Sequence, residues 1–139
     1  MYYALCHSIW TYGITAWGGA YNKEINPLQN ILNRILKRIP ELKAEILDVK
    51  NTFKLHSLLH HYDKCSQDYN KSTSKTRNKS LTIPDINKDI FKKSSHYIAL
   101  TSFNMLNHDL KNINNTTSNN SNLRRARKSR LKKHIISLK

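Results

Sequence analysis

A chain of 139 residues in which 38% are apolar lies below the roughly 45–50% apolar content usual in globular domains, leaving room for one modest domain with a thin core. Lysine and arginine outnumber aspartate and glutamate 24 to 9, a formal net charge of +15, so like chains repel and polyanions are attracted, nucleic acid first among them. No apolar run approaches the roughly 18–20 residues of a membrane span, and no basic n-region precedes the opening stretch, which excludes a spanning segment and a signal peptide and predicts an intracellular protein of the cytoplasm or nucleus.

The opening, SIWTYGITAW at residues 8–17, is the most densely apolar stretch. From Tyr2 to Trp17 the bulky positions Tyr3, Leu5, Ile9, Trp10, Tyr12, Ile14 and Trp17 wrap most of the way round a helical wheel, and a helix apolar on most sides requires neighbours on most sides. Gly18 and Gly19 then read as a C-terminal stop in the left-handed conformation. The next element is the clearest. Asn26 as cap, Pro27 at the first helical position and Leu28, Ile31, Leu32, Ile35, Leu36 and Ile39 on one stripe predict an amphipathic helix. Its opposite face gathers Gln29, Asn30, Asn33, Arg34, Lys37 and Arg38, with the cations near the C-terminus, where the helix dipole favours them.

Pro40 closes or redirects that helix, and ELKAEILDVK predicts a short helical piece. Thr52 suits a cap for a longer helix carrying Leu55, Leu58, Leu59, Tyr62, Cys65 and Tyr69 at helical period. NKSTSKTRNKS reads as a loop, LTIP as a short strand-like run ended by Pro84, and Ser95 to Leu106 as either a strand leading into a helix or one helix. A run of Asn, Thr and Ser from Asn112 to Asn122 buries too little apolar surface to offset ordering and reads as a linker. In the tail NLRRARKSRLKKHIISLK, Leu123, Leu131, Ile135 and Leu138 form a narrow apolar stripe among cations. The expected fold is mainly α: a small bundle of three to four helices over 1–71, an irregular or short-strand middle segment over 72–111, a linker over 112–122 and a basic C-terminal helix over 123–139.

Catalytic constellations are missing from the pattern. The nine acids are scattered without an Asp-Asp pair, whereas two-metal phosphoryl chemistry holds carboxylates together. All three glycines lie at or before residue 19, so there is no glycine-rich phosphate loop. Cys6 and Cys65 fit neither a zinc knuckle nor a disulfide scaffold and read as reduced, buried or half-buried thiols. His56 and His60, with Asp63, share a helix face at a spacing that metal sites use, yet a His-Glu-x-x-His pattern is absent and ordinary helix histidines are expected. No catalytic residue, metal ligand or cofactor is assigned in this chain. The basic cluster Arg124, Arg125, Arg127, Lys128, Arg130, Lys132 and Lys133 instead suits sequence-independent, salt-sensitive phosphate contact. No Trp or Tyr is interleaved with it, so a base-stacking platform is not indicated.

The stretch YYALCHSIWTYGITAWGGAYNKEINPLQNILNRILKRI resembles the region that follows the polymerase palm in reverse transcriptases of non-LTR retrotransposons, the LINE and jockey-like elements. The matching positions are Tyr3, Leu5, Ser8, Tyr12, Gly13, Trp17, Gly18, Leu28, Gln29, Asn33, Arg34, Ile35 and Leu36. TRNKSLTIPDINKDIFKKSSHYIALTSFNMLNHDLKN resembles the ending of the same family through Thr76, Arg77, Lys93, Ser94 or Ser95, Tyr97, Phe103, Asn104 and Leu106. Asn107 stands where the family has proline, and the glycine before the basic-Ser pair is missing, as in a diverged copy.

The resemblance implies a C-terminal thumb-like and post-polymerase region of an RNA-directed DNA polymerase. The paired aspartates that would hold Mg in the family's palm have no counterpart here, so the chain is expected to be inactive alone, a fragment severed from an upstream polymerase. Arg34, Lys37 and Arg38 with the cluster after Leu123 would grip template and primer by their phosphates, RNA or DNA being the partner. The apolar opening would dock on the upstream polymerase domain or on another protein. The alternative is a domesticated or degenerate helical protein-interaction module with no nucleic-acid role, and a stand-alone metal enzyme using His56 and His60 is the least favoured reading.

Overall fold

The computed structural model describes residues 7–41, 46–71, 79–112 and 120–137. Among them the chain is mainly helical, with no strand. Four longer helices carry the architecture: α3 (Asn22–Arg38), α4 (Val49–Lys71), α6 (Ser95–Asn104) and α8 (Asn120–Ser137). The others, α1 (Ser8–Thr11), α2 (Ile14–Trp17), α5 (Asp89–Lys92) and α7 (His108–Lys111), are single turns.

The spine is α4. Asp48 caps it, accepting from the Asn51 backbone N–H at 2.7 Å, which satisfies one of the donors a helix start leaves open. Thr52, the expected cap, is instead a buried residue of the first turn whose hydroxyl donates to the Leu47 carbonyl at 3.4 Å. Residues 46–48 are non-helical, so the short helical piece expected before α4 is not seen there. The remainder of that stretch, 42–45, lies outside the described residues.

One flank of α4 packs chiefly on α6, and α8 also packs on it. The shared core contains Leu55, Leu58, Tyr62, Cys65 and Tyr69 from α4, Leu100 and Phe103 from α6, and Leu131 and Ile135 from α8. Tyr62 and Phe103 are fully buried and meet edge to face with ring centroids 5.6 Å apart, a preferred aromatic geometry. The Tyr62 hydroxyl donates to the Leu110 carbonyl, so α7 is tied to the spine. A second, smaller core joins α3 to the start of α4 through Ile25, Leu32, Ile46 and Val49, with Trp10, Trp17, Leu28, Ile35 and Leu36 packed against it.

Several expectations need correction. The apolar opening is not one continuous helix: Gly13 takes φ 64° and breaks it into α1 and α2, a conformation that glycine adopts without penalty. Tyr12 turns extended there, and the Trp17 indole N–H donates to its carbonyl at 3.1 Å. Gly18 is right-handed at φ −66°, so the left-handed stop sits five residues earlier than expected. Gly19 is needed for close approach: a Cβ there would collide with the Lys93 carbonyl oxygen.

Helix α3 starts at Asn22, so Pro27 lies inside it rather than at its first position, and Asn26 is not its cap. The stripe is rotated accordingly: Ile25 and Leu32 are buried while Ile31 is exposed. LTIP forms no strand; its pairing partner is a side chain. The Asn104 amide accepts from the Leu81 N–H at 2.8 Å and donates to the Leu81 carbonyl at 2.9 Å, standing in for a strand neighbour. The stretch read as Ser95 to Leu106 forms a helix over Ser95–Asn104, with the Ser94 Oγ accepting from the Tyr97 N–H at 3.3 Å. Helix α8 begins at Asn120, inside the stretch read as linker, while 113–119 lie outside the described residues.

Candidate nucleic-acid interface

Two helices present the cations that the sequence singles out. On α3, Glu24 lies in the first turn and Lys37 and Arg38 in the last, so both ends complement the helix dipole. Arg34, Lys37 and Arg38 are all exposed, because Leu32, Ile35 and Leu36 turn the opposite side to the small core. Arg34 and Lys37 line an open cleft of about 690 Å³ with Asn30, Asn33, Leu36 and Pro40. Gln29, on the edge of that face, is structural: its Oε1 accepts from the Val49 N–H at 2.9 Å, and its Nε2 donates to Asn33 at 3.0 Å.

The second set is on α8, which has no acidic residue from Asn120 to Ser137. Arg127, Leu131 and Ile135 are buried; at four-residue intervals they form one row of a helix face. Arg124, Arg125, Lys128, Arg130 and Lys133 are exposed, and Lys132 is half-buried. Among the described residues none of these six is paired with a carboxylate. Leu123 and Leu138, expected in the stripe, fall outside the described side chains.

Arg127 differs from its neighbours. It is 4% exposed, with Nη1 2.9 Å from an Asp63 oxygen and its guanidinium 4.2 Å from the Tyr62 ring centroid. A buried guanidinium requires such compensation, and these contacts turn it toward α4 instead of solvent. Sequence reasoning placed Arg127 among the phosphate contacts; the structure places it in the helix packing. The missed signal was spacing, since Arg127 stands midway between Leu123 and Leu131 on the same row.

The histidines separate. His60, His61 and His96 stack edge to face, with ring centroids 4.8 and 5.1 Å apart, and His61 Nε2 lies 3.2 Å from the Ser95 hydroxyl. His56 instead lines a cleft between α4 and α8. Among the described residues no group of three or more His, Cys, Asp or Glu side chains is placed to hold a metal ion. Cys65 is free and buried, and burial, reinforced by Asp68, pushes its thiol up to about 11, which keeps it protonated at neutral pH. Cys6 lies outside the described residues.

Three residues that carry the family resemblance join distant segments: Asn104 and Gln29 are the two clamps described above, and the Lys93 ammonium sits 3.2 Å from the Tyr21 ring centroid. A fourth, Ser94, acts locally as the cap of α6. Thr76 and Arg77 lie outside the described residues. No family model, curated protein or solved structure matches this chain. No helix among the described residues is long and apolar enough to cross a membrane.

Proposed function

We propose that this chain binds the phosphate backbone of nucleic acid, as a thumb-like, post-polymerase region of a non-LTR retrotransposon reverse transcriptase would bind template and primer. The observation that carries the reading is the two-sided build of α8: one row anchored on α4, the remainder an acid-free face of exposed Arg124, Arg125, Lys128, Arg130 and Lys133. Arg34, Lys37 and Arg38 add a second cationic face. Contacts of this type position a duplex without reading bases. The residues that resemble the family's motifs support this reading, several of them serving as clamps and a cap in the fold.

Filter binding to two duplexes of unrelated sequence, at two salt concentrations, tests it. Equal affinity for both duplexes and a steep loss with salt are expected. Base-selective or salt-insensitive binding overturns it.

A second reading is favoured by one observation. Ile9 is 75% and Tyr12 86% exposed, an apolar surface beside α1 that suits a protein partner, whether an upstream polymerase domain or another chain. In that reading Ile9→Ser and Tyr12→Ser relieve self-association without changing the salt dependence of nucleic-acid binding, which sedimentation and filter binding together read out.

A further inference from the structure

A cleft of about 230 Å³ opens where α4, the C-terminal end of α6 and α8 meet, and the nucleic-acid reading does not use it. Leu58, Ile98, Leu106 and Ile135 give it apolar walls, and Met105, 74% exposed, carries that apolar surface out over the rim. The volume falls short of the roughly 300–1,000 Å³ of sites for organic ligands yet admits a bulky apolar side chain. No Phe, Tyr or Trp stands among the described lining residues, so the cleft offers no platform for stacking a base. Its walls suit a protein side chain rather than a nucleotide.

The margins are cationic. On the α4 side Lys54 is exposed, with exposed Lys50 one turn before it, and on the α8 side exposed Arg130 stands one turn before His134; side chains four residues apart share a helix face. Among the described residues no carboxylate pairs with Lys50, Lys54 or Arg130, and none lines the cleft. Asp48, two residues before Lys50, is committed to capping α4, its second oxygen accepting from Asn51 Nδ2 at 3.0 Å. The wall at His134 is incomplete as well: its Nε2 is enclosed with no hydrogen-bond partner, a state that native packing rarely leaves. We propose that this cleft docks an acidic amphipathic helix of a protein partner, one apolar side chain entering between α4, α6 and α8 while carboxylates beside it meet Lys54 and Arg130. The apolar anchor gives such a helix its affinity, and the complementary charge selects it.

Titration of the full chain with peptide tests this without nucleic acid, so its outcome is separate from the phosphate-backbone reading. A fluorescein-labelled helical peptide of about four turns, with leucine and phenylalanine on one row and glutamate on the others, is followed by anisotropy at physiological ionic strength beside a shuffled peptide of the same composition and charge. Saturable binding is expected, about tenfold tighter than for the shuffled peptide, with the His134 ring resonance moving in step by NMR. Lys54→Glu, which changes an exposed residue, and Ser102→Arg, which fills the mouth of the cleft, should each weaken binding about tenfold while circular dichroism stays the same. Equal binding of the two peptides, unchanged affinity in either folded variant, or a His134 ring that moves with a DNA duplex and not with peptide overturns the proposal. So does a dimer of the chain alone that Ser102→Arg dissolves, since the occupant is then a second copy.

Discussion

Asn104 shows what one side chain decides in this fold. Its amide makes both hydrogen bonds that a neighbouring strand would offer Leu81, and its backbone carbonyl accepts from the Lys111 ammonium at 3.1 Å. Asn104→Ala leaves a partly buried N–H and carbonyl unpaired, so chemical denaturation should show a loss of about 1–3 kcal/mol, with faster proteolysis within 79–88. Asn104→Asp retains the acceptor but not the donor and should fall between the two. Gly19 and Gly13 make a paired contrast. Gly13→Ala meets only the Trp17 ring, at an ordinary contact distance of 4.0 Å, and bears the left-handed backbone cost, about 1–2 kcal/mol, whereas Gly19→Ala drives a Cβ into the Lys93 carbonyl and must shift the contact between the α2 end and the α6 entry. Thermal melts should rank Gly19→Ala as the less stable. Neither role was legible in sequence, because Asn104 acts across 23 residues and a glycine's neighbours are known only once the chain has folded.

At the scale of elements, legibility followed periodicity. Helices α3 and α4 were readable from their apolar spacing, since one buried flank suffices to imprint it. Their starts were not: Asp48 caps α4 where Thr52 is a comparable cap on propensity, and α3 starts after Tyr21 with no side-chain cap hydrogen bond although Asn26 is the better cap on propensity. The opening stretch misled because apolar density without a stripe fits one enclosed helix or two short turns, and Gly13 selected the turns. Helix α8 was legible as basic and amphipathic, but Arg127 hid in its apolar row. Its pairing with Asp63, whose side chain is 61% exposed, is discounted by solvent on that side. Asp63→Ala should therefore cost about 1–2 kcal/mol by urea denaturation, because the buried guanidinium loses a partner. The same change should leave nucleic-acid affinity unaltered, which separates the anchoring row from the outer face.

Across the whole molecule, lysine and arginine outnumber aspartate and glutamate 24 to 9, and partly buried histidines set the response to pH. His7, His56 and His61 all titrate below their ordinary value of 6.5, chiefly through burial, with neighbouring lysines and histidines adding to it. The unfolded chain then binds more protons than the folded one as pH falls through about 6.5, so stability drops on acidification and is regained above it. Denaturant midpoints should therefore fall between pH 7.5 and 5.5. The fold class was legible from composition and period, and the cationic faces from residue counts. The placement of His7 and His56 on one cleft was not, because it joins segments 49 residues apart, as the numbering shows.

In the proposed function the exposed cations of α8 hold nucleic-acid backbone while Arg127 holds the helix. This is tested most directly by the salt dependence of duplex binding for two variants, Arg124→Gln/Arg125→Gln/Arg130→Gln/Lys133→Gln and Arg127→Gln. The first should flatten the slope of log affinity against log salt by about 1 per phosphate contact removed, while the second lowers stability and keeps the slope. An unchanged slope in the fourfold variant would show that these cations do not hold the backbone.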